Sequence, residues 1–183
     1  QGDRILTGSR DRTAKLWDLD GNLIETFDHN YIVTSVKFNP KGDKILTGSL
    51  DRTARLWDLN GNLIATFQHD DIVVSVKFNT KGDKILTGSW DNTAKLWNLN
   101  ANLLTTFNHD KEVSSASFNH REDKILTCSF GICNIWTLYN PTLDQLLLIE
   151  LIYSYLDSAK PSKQIQNPKM LFKEIVDTFK TEN

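Results

Sequence analysis

Asp43–Asn79, DKILTGSLDRTARLWDLNGNLIATFQHDDIVVSVKFN, is one copy of a unit that recurs about every 40 residues. Laid over Asp3–Asn39 it agrees at about three-quarters of positions, and it returns at Asp83–Asn119 and more loosely at Asp123–Trp136. Trp17, Trp57, Trp97 and Trp136 keep the beat, the last one residue early, and His29, His69 and His109 keep it too. Self-similarity at this period marks a repeat architecture, in which one small unit buries its faces against its neighbours.

Within the unit the pattern is that of short strands. Ile32–Phe38 alternates apolar and polar residues as a half-buried strand does. Asn39-Pro40-Lys41-Gly42-Asp43 has turn chemistry, Lys44–Ser49 is the next strand, and Leu50-Asp51-Arg52 a tight turn. Thr53–Leu59 follows, then the hairpin-forming Asn60-Gly61-Asn62 and a fourth strand at Leu63–Phe67. Strands this short and turns this regular exclude a parallel βαβ fold.

The recurring string GS-x-D-x-T-A-x-LW-D/N, with a histidine beyond the tryptophan, resembles the WD-repeat (WD40) β-propeller repeat over about Asp3–Leu138. The resemblance implies an all-β fold of blades with four antiparallel strands, with repeat units at about 1–39, 40–79, 80–119 and 120–139. It also implies a buried network in each blade, linking a histidine, a hydroxyl of the second strand, an aspartate in the next turn and the tryptophan. Matched residue by residue, that set is His29, Ser49, Asp51 and Trp57 in the second blade and His69, Ser89, Asp91 and Trp97 in the third. The first blade keeps Ser9, Asp11 and Trp17. The fourth keeps His109, Ser129 and Trp136 but has no aspartate, because SFGICNIW is one residue short.

A Ser–His–Asp set can also be catalytic, but a triad is needed once and this one recurs copy after copy. The expectation is no enzyme, no cofactor and no metal site. Binding is expected where the copies disagree. Arg10, Leu50, Trp90 and Phe130 occupy one equivalent turn position. Asn30-Tyr31, Asp70-Asp71 and Lys111-Glu112 follow the histidines. The resemblance puts both loop types at the end of the propeller that often binds peptides, which makes Arg10, Tyr31, Leu50, Asp70, Asp71, Trp90, Lys111, Glu112 and Phe130 the candidate partner-binding residues. The partner expected is a protein or peptide.

The net charge of −2 over 183 residues gives no reason to expect nucleic acid or an anionic membrane surface. Arg12, Lys15, Arg52, Arg55 and Lys95 alternate with aspartates and read as a mixed-charge face. No apolar run reaches the roughly 18–20 residues that span a bilayer. Cys128 and Cys133 read as two reduced thiols on adjacent strands, favouring a reducing cytoplasmic location.

The first copy lacks an opening strand and the fourth a closing one, so the expected ring is incomplete. The expectation is the C-terminal part of a longer propeller, acting as an interaction scaffold. The alternative is a self-assembly module associating through open blade edges and the helical tail. After Tyr139 the period stops, and residues 140–183 read as a helical tail with helices at about 142–157 and 168–180. Thr142 and Gln145 have capping-box spacing, and Asn167-Pro168 opens the second helix.

Overall fold

The computed structural model describes residues 2–138. The expected tail helices at 142–157 and 168–180, and the domain boundary at 139, lie outside the described residues. Among the described residues fourteen strands form four antiparallel meanders. The first sheet is β1 (Arg4–Gly8), β2 (Thr13–Asp18) and β3 (Leu23–Asp28). The second is β4 (Val33–Phe38), β5 (Lys44–Ser49), β6 (Thr53–Asp58) and β7 (Leu63–Gln68). The third repeats it in β8 (Val73–Phe78), β9 (Lys84–Ser89), β10 (Thr93–Asn98) and β11 (Leu103–Asn108). The fourth stops after β12 (Val113–Phe118), β13 (Lys124–Ser129) and β14 (Ile132–Thr137).

Sequence unit and sheet are out of phase by one strand. Asp43–Asn79 holds the last three strands of the second sheet and the first strand of the third, so each repeat ties two sheets together. The core lies between sheets. Ala14, Leu16 and Phe27 of the first meet Val33, Ile45 and Trp57 of the second. Leu46, Ala54, Leu56 and Phe67 of the second meet Val73, Val76, Ile85 and Trp97 of the third, and Leu86, Ala94, Leu96 and Phe107 meet Val113, Ala116 and Ile125. The second and third sheets each offer one face of β-branched residues and tryptophan and another of leucine, alanine and phenylalanine, and the joint between them matches one to the other. Phe67 stands edge-on to Trp97 at 5.7 Å between centroids, and Phe27 does the same to Trp57. Edge-to-face pairs add about 0.5–1.5 kcal/mol beyond area burial.

Gly48 is required by this joint. A Cβ there would come within 2.8 Å of Val76 Cγ1 and 3.1 Å of Val73 Cγ1 in the next sheet. A Cβ at Gly8 would come within 3.0 Å of Val33 and Val36, and one at Gly88 within 3.1 Å of Val113. In the fourth sheet the equivalent residue is Cys128, and its face stays open: Ile135 is 69% exposed where its counterpart Leu56 is fully buried. At the other end Ile5 is 50% exposed where Ile45 is fully buried.

Candidate functional site

In the third sheet the Asp91 carboxylate lies 2.7 Å from His69 Nδ1, and His69 Nε2 lies 2.7 Å from Thr87 Oγ1. The Trp97 indole N–H donates to the same Thr87 oxygen at 2.9 Å. The second sheet repeats the set with His29, Asp51, Thr47 and Trp57. Burial is the main influence on His69 and lowers its pKa against the pull of Asp91, so the ring is neutral at pH 7. Nδ1–H then donates to Asp91, and Nε2 accepts from Thr87. Burial alone would raise the Asp91 carboxyl, but hydrogen bonds from His69, Thr93 and the Asp70 backbone hold it well below the carboxylate range. Asp51 is held down in the same way by His29, Thr53 and the Asn30 backbone. Every buried polar side-chain atom among the described residues has a partner. This is how a low-dielectric interior accepts such groups.

The hydroxyl at the hub is a correction to the sequence reading. Ser49, Ser89 and Ser129 do not lie between histidine and tryptophan; Thr47, Thr87 and Thr127 do. Both residues of each pair point to one face of the strand, but Trp57 pairs directly with Ile45, so its indole reaches the diagonal neighbour Thr47 and not a residue two further along. The serines hold the loops instead. Ser49 donates to the Tyr31 carbonyl and accepts from the Asp51 N–H; Ser89 does the same with Asp71 and Asp91. Ser129 donates to the Lys111 carbonyl at 2.9 Å. The signal was present, since a threonine stands two residues before the serine in all four copies.

The end sheets carry partial sets. In the first, Trp17 donates to Thr7, and Asp11 accepts from Thr13 and Lys15 while Ser9 accepts from the Asp11 N–H. In the fourth, His109 and Trp136 both meet Thr127, at 2.8 and 2.7 Å, and no aspartate stands opposite Nδ1. Lys15, Arg55 and Lys95 pair with Asp11, Asp51 and Asp91 at i,i+4 spacing.

The same framework fixes the variable loops. Asp51 accepts from the Asn30 N–H and Asp91 from the Asp70 N–H, while the Leu50 and Trp90 N–H groups donate to the Ile32 and Ile72 carbonyls. Tyr31, Asp70, Asp71, Arg10, Lys111 and Glu112 are exposed, and Leu50 is partly covered. Trp90, 46% exposed, and Phe130, 72% exposed, line one groove of about 540 Å³ together with Glu112, Ser114 and Gly131. Arg10, Tyr31 and Leu50 do not line it. Lys111 Nζ stands 5.0 Å from the Phe130 ring centre and lines the adjoining hollow.

The fourth turn differs in backbone as well as length. Arg52 and Asn92 take φ of 69° and 66° in the longer turns. With one residue lost, Ser129 pairs directly with Ile132, and Phe130 and Gly131 take φ of 42° and 83°. Positive φ at both central residues is the twist a two-residue hairpin needs. The shortening also sets Cys128 directly opposite Cys133, Cα atoms 4.1 Å apart, and the two form a disulfide. That corrects the expectation of two reduced thiols: facing cross-strand positions bring the sulfurs together.

Among the described residues no group of three or more His, Cys, Asp or Glu could hold a metal ion, and no helix is long and apolar enough to cross a membrane. A family model described as WD domain, G-beta repeat matches residues 1–18, 21–58 and 61–98, just over half the chain. No curated protein matches the chain.

Proposed function

This chain belongs to the WD-repeat family, and we propose that it is a non-catalytic scaffold whose loop face docks a protein or peptide. WD-repeat domains are generally protein-interaction scaffolds. The observation that carries the reading is the contrast between turns at equivalent positions. The framework repeats nearly unchanged, while Trp90 and Phe130 are exposed beside a groove on backbone tied down by Ile72, Ser89 and Ser129. Exposed aromatics on rigid backbone lose little entropy on binding and are the residues hot spots favour. The test is alanine substitution of Trp90 and Phe130 against Lys41 and Lys81 in the opposite turns, read by affinity for a partner recovered by proximity labelling. Loss confined to the first pair supports the reading; equal loss in both pairs sinks it.

A second reading is self-assembly through the end sheets, favoured by exposed Ile5 at one end and Leu126 and Ile135 at the other. Cys128 weighs against a joint like the internal ones, because it fills the space that Gly8, Gly48 and Gly88 leave for valines. Molar mass in solution separates the two, since self-assembly requires an oligomer that Ile135→Asp dissolves.

A further inference from the structure

We infer that the groove between Trp90 and Phe130 receives a cationic side chain, arginine or lysine, of the docked peptide; this rests on the docking reading above. Two aromatic side chains flank the groove, and both are open to solvent. Aromatic faces attract cations through their quadrupole. Phe130 already does so, because the Lys111 ammonium lies over its ring at 5.0 Å. Lys111 lines the neighbouring hollow with His109 and Asn134, whereas this groove is lined by Trp90, Glu112, Ser114, Phe130 and Gly131.

Charge selects among possible occupants. Glu112 lines the groove itself. Ser89, which precedes Trp90 in the chain, donates to the Asp71 carbonyl, Asp70 precedes Asp71, and Asp110 lines the adjoining hollow. Lys111 is the one basic residue in these two loops (70–71 and 110–112), and it is engaged with Phe130. An acidic peptide meets like charge here. A purely apolar side chain would cover the Glu112 carboxylate without giving it a partner, which is costly. A cation satisfies the rings and the carboxylate together.

The experiment pans a random-peptide phage library on the full 183-residue chain, with counter-selection on Trp90→Ala. Selected peptides are then synthesised and titrated with the basic residue intact or replaced by citrulline, its neutral isostere, or by norleucine. The expected result is an arginine or lysine at one register of the Trp90-dependent peptides. Citrulline or norleucine there weakens binding roughly tenfold, and Phe130→Ala or Glu112→Gln roughly fivefold to tenfold, each with an unchanged circular dichroism spectrum. Trp90-dependent peptides that lack a basic residue, or that tolerate its neutral replacement, overturn the inference and leave the docking reading standing. A library that yields no Trp90-dependent peptide overturns both.

Discussion

Thr87→Val separates the network seen here from the one the sequence suggested. Valine keeps the shape of threonine and removes one oxygen, which is fully buried. That oxygen lies 2.7 Å from His69 Nε2 and 2.9 Å from the Trp97 N–H, and both lose their partner. A buried polar group left unpaired costs about 1–3 kcal/mol. Two such groups put the loss at about 2–6 kcal/mol. Ser89→Ala is the control: it is just as buried but bonded to the Asp71 carbonyl and the Asp91 N–H. Urea unfolding gives the stabilities, and NMR of the His69 ring nitrogens and the Trp97 indole proton reports the hub. The expected result is a large shift of both signals in Thr87→Val and little in Ser89→Ala, whose changes centre on the Asp70–Ile72 amides. Thr87→Val costing under about 0.5 kcal/mol, or Ser89→Ala moving the His69 and Trp97 signals equally, refutes the assignment.

Three further outcomes follow from the same geometry. His69 and His109 titrate below the ordinary histidine value and Asp51 and Asp91 below the ordinary carboxylate value. The unfolded chain therefore takes up protons first: stability is full above about pH 7, falls below about 6.5 and falls again below about 4, as thermal melts across that range should record. Gly48→Ala, forcing a Cβ to 2.8 Å from Val76, costs about 1–3 kcal/mol in urea unfolding, and Val76→Ala in the same chain recovers part of it. Reducing the Cys128–Cys133 disulfide, which closes a separation of 5 residues, costs about 2 kcal/mol in the loop-entropy account. Amide exchange should accelerate first at Phe130 and Gly131.

The strand pattern was legible because its signals are local: alternation, Asn-Gly turns and the spacing of tryptophans are written within each copy. The role of Thr47 and Thr87 was harder to see, since serine and threonine stand two residues apart on the same face and only the pairing of Trp57 with Ile45 decides between them. The disulfide was hidden by one deleted residue, which moves Cys133 from beside the strand partner of Cys128 to directly opposite it. The turn positions that differ between copies were visible as differences. That Trp90 and Phe130, but not Arg10 or Leu50, share a groove depends on neighbouring sheets meeting at their ends, which no single repeat records.

Docking on one loop face of a rigid framework is tested by the amide NMR spectrum of the chain titrated with a library-selected peptide. Shifts are expected at Asp70–Ile72, Trp90, Lys111–Ser114 and Phe130–Gly131, with the His69, Thr87 and Trp97 signals unmoved. Shifts centred on the Lys41–Asp43 and Lys81–Asp83 turns, or on Ile5, Leu126 and Ile135 of the end sheets, would contradict it.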